Sequence, residues 1–444
     1  MVLVEELKKR RQILLYIVIY VAAFDLAYIF GVSRLYGYLS VTLNMNWPKM
    51  AISSIAIICT VLLLPTKMEK VSSYLFFILY VVTFLPMASY VWLNDKPIIY
   101  FLELFVCFVL FEFSIGFSSN RRRWIKVRKG RLLLSLALGV YIISAVALII
   151  MNGGIKLKML DFLIASQSRE DNISGYAGYL LNWCAKSFMP LFAAYFAYYK
   201  KKKWVALVAL LQIGLYFSYG FKSFLLSVVY LLIVSYSLKA GWKFWKVLPG
   251  IFTGIVILAL LLYIFRVDNT LLFLFPFRTL ALPCEGQFRY FDYFNNFDKL
   301  HFGGSFLGKL FGTNYGYSQS IGHVISQYFT GKVSNSNTGV FSYAYADFGF
   351  PGMILASIVI IIIFKIIDNS TTHIPKYLTV GALSYQIVCM NDTNLTINLM
   401  TGGIVLSIIM LIIIDSIFRE KQKIPDYTSI GTRVNPIKGA VTDS

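Results

Sequence analysis

Phe277-Arg278-Thr279-Leu280-Ala281-Leu282-Pro283-Cys284-Glu285 begins the polar interruption of an apolar chain. Arg289-Tyr290-Phe291-Asp292-Tyr293-Phe294 continues it, and it closes with Ser334-Asn335-Ser336-Asn337-Thr338-Gly339 and Tyr345-Ala346-Asp347-Phe348-Gly349-Phe350-Pro351-Gly352. The whole segment, Arg266 to Gly352, is roughly 85 residues, far beyond an ordinary connection. Apolar runs flank it on both sides, so the side of the membrane it occupies decides the fold. Rings, fixed cations, carboxylates and amides lie together in it. That mixture suits a ligand carrying sugars and phosphates: rings stack on sugar faces, amides bond hydroxyls, and Arg forks grip phosphate oxygens. The plainer reading, a solvated loop kept wet by its charges, stays open on composition alone.

Composition sets the class. The 444 residues are 58% hydrophobic, 17% aromatic and only 14% charged, with mean hydropathy +0.69. A soluble domain carries nearer a quarter charged residues. The chain therefore reads as an all-α polytopic integral membrane protein, one membrane domain over residues 1–444. Its net charge of +20 does not imply nucleic acid, because the positive charge sits in short runs between apolar spans. Such runs set topology and meet anionic lipids. Cys59, Cys107, Cys184, Cys284 and Cys389 form no CxxC pair, and His301, His323 and His373 lack metal-ligand spacing. Lys8-Lys9-Arg10-Arg11 precedes a long apolar run without a small-residue cleavage site, which reads as an uncleaved first span.

A membrane-crossing helix needs about 20 mostly apolar residues. Spans are expected near 13–32, 50–65, 72–93, 98–117, 132–151, 179–199, 204–219, 224–238, 247–265, 351–367, 378–391 and 399–418. With the N-terminus inside, every short basic run falls on one side: the N-terminal run, Lys67/Lys70, Arg121–Arg131, Lys200–Lys203, Lys239/Lys243/Lys246, Lys365/Lys376 and the tail. These hold about 27 of the 41 Lys and Arg residues, as the positive-inside rule requires. About 12 spans with both termini cytoplasmic is the resulting expectation. It places 266–350 outside as one large external loop and leaves 424–444 as a short cytoplasmic tail.

A second outer loop carries Gln167-Ser168-Arg169-Glu170-Asp171-Asn172, and a tight hairpin, Tyr219-Gly220-Phe221-Lys222-Ser223, joins spans seven and eight. Lys222 either snorkels to the interface or points into a shared cavity. Asp25, Glu103, Glu112 and Lys186 fall inside spans, where charge is costly and so a functional candidate. Glu103 and Glu112 are nine apart, on opposite helix faces, and make no relay. For Lys186, near Pro190, a structural pairing with Asp25 or a Glu is expected. No paired broken helices stand in corresponding halves, which argues against a secondary transporter.

Within the long loop, Thr279 to Phe297 reads as a helix opened by Pro283, a residue favoured at the first helical position. Glu285, Arg289 and Asp292 share one face at spacings of four and three, while Phe288, Phe291 and Phe294 repeat on another. It is either an amphipathic helix on the membrane surface or a membrane-level helix closing its polar face over a pyrophosphate.

Taken together these stretches resemble the bacterial O-antigen and capsular polysaccharide repeat-unit polymerases, the Wzy-type family. Phe277 to Pro283 followed by Tyr290-Phe291-Asp292-Tyr293-Phe294 is similar to that family's Arg-(x)4-Pro … Tyr-x-x-Phe stretch. Asn335 to Gly339 with Tyr345 to Gly352 is similar to its Asn-x-Asn-x-Gly … Tyr-x-x-Phe-Gly-x-x-Gly ending, and Gly220-Phe221-Lys222-Ser223 to its Gly-x-Arg/Lys-Ser hairpin, here with Lys. The resemblance implies a GT-C-like polymerase/ligase architecture in the bacterial cytoplasmic (inner) membrane. It implies a glycosyltransferase that moves a growing glycan from undecaprenyl pyrophosphate onto a new lipid-linked repeat unit. The implied partners are the undecaprenyl-pyrophosphate-linked oligosaccharide, membrane lipids and a chain-length regulator protein.

The developing charge on the leaving pyrophosphate needs fixed cations, for which Arg278, Arg289 and Lys222 are candidates. Glu285, Asp347 and His323 are candidate bases. Arg169, Tyr290, Tyr293, Asn335, Asn337 and Tyr345 complete the expected substrate-binding set. No Asp-x-Asp motif stands in an outer loop, so neither metal nor cofactor is expected. A glycan ligase shares the chemistry. A transporter or flippase predicts charge-lined spans and short outer loops, and a structural scaffold leaves the loop's Arg and Asn clusters unexplained.

Overall fold

The computed structural model describes residues 2–37, 41–65, 68–116, 127–157, 175–239, 243–332 and 334–423. Arg169, most of the Arg121–Arg131 cluster, Lys67 and the 424–444 tail lie outside the described residues. Every regular element among those described is a helix. In chain order these are α1 (2–36), α2 (Trp47–Leu63), α3 (Val71–Leu93), α4 (Ile98–Gly116), α5 (Gly130–Met151), α6 (176–198), α7 (Lys202–Tyr219) and α8 (Lys222–Lys239). There follow α9 (Phe244–Ile264), α10 (270–296), α11 (Phe306–Phe311), α12 (Ile321–Thr330), α13 (Val340–Ser370), α14 (Lys376–Cys389), α15 (Leu395–Leu399) and α16 (Ile404–Lys423). Each expected span coincides with one of these helices, and seven helical segments are long and apolar enough to cross a membrane. The chain is a helical, membrane-embedded protein.

Four helices contain a widened π segment: Tyr28–Val32 in α1, Tyr80–Phe84 in α3, Cys184–Phe188 in α6 and Phe273–Ala281 in α10. Such segments recur at functional sites because the extra residue re-aims side chains. α13 is bent at Phe348 and Gly349, where Gly349 adopts φ of 66° immediately before Phe350 and Pro351. Only glycine reaches that backbone region without strain.

The two ends of the bundle differ in chemistry. At one end Arg10 donates to the carbonyls of Val61, Leu62 and Leu64. Lys70 donates to Ile115 O at 3.1 Å, and Asp368 accepts from Ser72 N and Oγ at 2.9 and 2.6 Å. Asp415 gathers His373 and Arg419 there as well, at 3.0 and 3.2 Å. At the opposite end Lys49 pairs with Asp95 at 2.6 Å, and Lys49 and Asn46 hold that carboxyl below its usual range. The segment 297–338 lies at this second end, packed on α10 and the start of α13.

The long polar segment is not a solvated loop. Along α10 the partners change turn by turn. Leu272 lies against Gly31 of α1, Phe275 meets Phe252 of α9 at 5.0 Å, and Phe277 stacks on Tyr36 of α1 at 4.1 Å. Farther on, Phe288 meets Tyr90 of α3 and Tyr100 of α4 at 6.2 and 5.4 Å, and Phe291 meets Tyr345 of α13 at 4.9 Å. α10 is about 40 Å long at 1.5 Å per residue, and along its length it passes from α1 and α9 to α3, α4 and α13. Pro283, expected to open a helix over Thr279 to Phe297, lies instead inside α10, whose backbone is helical on through Ala281 and Leu282. The surface-lying alternative fails because both faces of that helix are covered, Glu285 and Phe288 alike.

Candidate functional site

α14 has 14 residues, about 21 Å at 1.5 Å per residue, short of the roughly 30 Å hydrocarbon core. The connection that follows it is anchored at the middle of other helices. Asn391 Nδ2 donates to Val82 O at 3.1 Å, and Val82 lies eleven residues from either end of Val71–Leu93. Ser187 Oγ donates to Gly403 O at 3.1 Å, and Ser187 lies eleven residues from either end of α6. Gln386 bonds Ser187 Oγ, Gly402 O and Ser407 Oγ, each at 3.0 Å, tying α14, α6 and α16 together. A non-helical backbone at this depth persists only where protein or water satisfies it. This turn is a single pair in one half of the chain, so it does not bear on the expectation that no paired broken helices stand in corresponding halves.

That break leaves a recess at Asp392, whose side chain is exposed although the turn that carries it is tied to the middle of α3 and α6. Lys186 from the π segment of α6 and Arg278 from the π segment of α10 both bring positive charge to bear on it. Charged side chains in membrane proteins face such internal, water-reached spaces. Arg278 is exposed there, and the carbonyl of Thr279 beside it is 3.5 Å from Asn391 Nδ2. The α7–α8 hairpin joins through Tyr385 of α14, whose hydroxyl donates to Ser223 O at 3.2 Å. The side chain of Lys222 itself lies outside the described residues. The charge of Lys186 acts on Asp392, while Asp25 stands beside Ser89 of α3.

The residues expected to carry the chemistry do not form one group. Glu285 is 2% exposed and fully engaged: Arg289 Nε at 2.9 Å, Lys96 Nζ at 2.7 Å and Tyr90 Oη at 2.9 Å. Its lone pairs are taken by a buried ion cluster, so the geometry gives it a clamping role rather than that of a base. Arg289 spends its charge on the same partner. Burial raises the carboxyl of neighbouring Asp292, against the pull of Lys96. Asp347 accepts from Phe302 N at 2.9 Å, and its carbonyl accepts from His301 N at 3.3 Å. His301 and Phe302 have φ of 48° and 66°, a region disfavoured for residues with side chains. Asp347 thus pins a strained turn and stands apart from Arg278.

The expected sugar-binding residues divide in the same way. Tyr290 Oη donates to Ser336 O at 3.2 Å, and a Cβ on Gly286 would lie 2.8 Å from Asn337 O. The 334–339 segment is therefore seated directly on α10. Asn335 and Asn337 keep exposed side chains. Tyr345 donates to Asn295 Oδ1 and carries Lys299 Nζ 4.0 Å over its ring. Tyr293 stacks on Phe297 at 4.3 Å with Tyr328 edge-on at 5.2 Å. His323 lies half-buried on α12, with its backbone N–H bonded to Ser320 O.

Among the described residues no group of three or more His, Cys, Asp or Glu side chains has metal-binding geometry. Sequence reasoning missed Asp392. Its signal was present: Asn391-Asp392-Thr393-Asn394 interrupts two apolar runs, the first too short to span. No family model matches the chain, and neither a curated protein nor a solved structure is similar to it.

Proposed function

We propose that the chain is a repeat-unit polymerase of the bacterial cytoplasmic membrane, in the GT-C-like manner. Its twelve expected spans become ten passes and a final pair that turns part-way, with both termini cytoplasmic and the 297–338 end outside. The observation that carries the reading is a convergence. Arg278 and the Gly220–Ser223 hairpin, distant in sequence, meet around one recess through Asp392 and Tyr385. Lys186 adds a second fixed cation at the same place.

A recess with fixed cations suits a lipid-borne pyrophosphate entering sideways from the bilayer. The reacting anomeric carbon then lies next to the cations, and charge developing on the leaving oxygen meets donors already in position. Arg grips two phosphate oxygens as a planar fork; Lys offers a point charge. Exposed Asn335 and Asn337 with the Tyr293 ring cluster are suited to the glycan beyond the reacting sugar. The acceptor is a second lipid-linked repeat unit, and a chain-length regulator is the protein partner of this reading.

Arg278→Ala and Arg278→Lys test it in cells that make the polysaccharide. Both proteins should insert at normal level, Arg278→Ala should leave single repeat units without long chains, and Arg278→Lys should restore little. Losing one charge-assisted contact at a developing anion costs on the order of 3 kcal/mol, a hundredfold or more in rate. Near-normal polymer from Arg278→Ala would sink the assignment.

A further inference from the structure

We propose that Asp392 is the proton acceptor of the glycosyl transfer, the group that takes the proton of the attacking sugar hydroxyl. This rests on the polymerase reading and adds a catalytic residue that the sequence motifs do not contain. The other carboxylates considered are committed elsewhere: Glu285 to Lys96, Arg289 and Tyr90, Asp347 to the 301–302 turn. Asp392 shares its recess with the two cations and has an exposed side chain.

Its backbone is held from several directions. Asn391 bonds Val82 O, Thr279 O and Gln287 Nε2 at 3.1, 3.5 and 3.3 Å. Asp392 N donates to Cys389 O at 3.2 Å and Val340 N to Met390 O at 2.9 Å. Gly339 lies so close that an added Cβ would sit 2.8 Å from Asn391 O. Thr393 Oγ1 donates to Asp392 Oδ1 at 3.2 Å, fixing the carboxylate plane. A base held this firmly meets the positional demand of proton transfer.

In the step, the acceptor hydroxyl oxygen bonds to the anomeric carbon of the donor glycan. The bond from that carbon to the pyrophosphate oxygen breaks, and its electron pair leaves with undecaprenyl pyrophosphate. The hydroxyl proton passes to Asp392 and then to water in the recess, so atoms and charge balance without a co-reactant. The charged and titratable groups facing Asp392 among the described residues are Lys186 on α6, Arg278 on α10, and Tyr385 and Cys389 on α14. Acid protonates the acceptor, so the rate falls as pH falls.

The test uses the purified full chain in lipid vesicles, supplied with lipid-linked repeat units extracted from cells carrying Arg278→Ala. Initial polymerisation rates are measured against pH for wild type, Asp392→Asn and Asp392→Glu, alongside binding of farnesyl pyrophosphate. Asp392→Asn should lose a hundredfold or more in rate. It should bind farnesyl pyrophosphate at least as tightly, since a repelling charge has gone. Asp392→Glu should keep partial activity with a displaced acid limb. Wild-type rate and pH profile in Asp392→Asn overturn the proposal, as does loss of rate together with loss of pyrophosphate binding. Should Asp392→Asn fail to fold, an Asp392→Glu acid limb superimposable on wild type overturns it instead. No polymer from wild type at any pH defeats the polymerase reading itself, and this inference with it, whereas the other outcomes leave that reading intact.

Discussion

Glu285→Ala removes the anion that two buried cations share. In the native chain its carboxylate is 2% exposed and meets Lys96 at 2.7 Å and Arg289 at 2.9 Å. Removing one member of a buried ionic cluster leaves the others uncompensated, typically at a cost of about 3–5 kcal/mol. A cost within that range is expected, because both cations lose their shared carboxylate and Tyr90 Oη loses its acceptor as well. Glu285→Gln keeps shape and one acceptor oxygen, and should cost less. The assay is thermal unfolding in detergent, followed by the monodisperse fraction, with cellular polymer measured in parallel. Glu285→Ala should unfold several degrees earlier, and polymer should fall only in proportion to folded protein. A variant with wild-type stability and no polymer would refute the clamping role and return Glu285 to the chemistry.

Topology and packing give further expectations. Single cysteines at Lys202 and Asn337, both exposed, should label from opposite sides of the membrane; labelling from one side removes the external position of 297–338. Gly286→Ala puts a methyl 2.8 Å from Asn337 O, and overpacking of this kind costs about 1–3 kcal/mol. It should lower thermal stability and raise protease sensitivity within 334–339, and unchanged protection there would contradict the seating of that segment on α10. Arg278→Lys, which keeps charge but not the fork, should show far less long-chain polymer than wild type in the cellular assay; full activity would contradict bidentate phosphate grip.

What the sequence disclosed depended on the range of the forces involved. Helix positions were legible because apolar runs of membrane-crossing length are a local signal; the start of α10 was not, since it lies at Thr270, well before Pro283. The Glu285–Arg289 contact was legible from i, i+4 spacing, and it forms at 2.9 Å. That α10 is buried was not legible, because the groups covering its polar face, Lys96 and Tyr90, come from almost two hundred residues away. A polar face of that kind reads as solvent-facing until its partners are known. Lys186 was singled out, but its partner Asp392 stands on a span end whose apolar run is merely short. Asp347 lies in a family-like motif yet serves a turn that only the coordinates reveal, since His301 and Phe302 carry no left-handed signature in sequence.

The central claim is that this chain lengthens a glycan on a lipid pyrophosphate. The most direct measurement adds purified protein in vesicles to lipid-linked repeat units and resolves the products by size. The account predicts a ladder spaced by one repeat unit, each step releasing one undecaprenyl pyrophosphate, and formed equally in the presence of EDTA. Repeat units that cross the vesicle membrane unchanged, or a glycan joined only to a different acceptor, would contradict it.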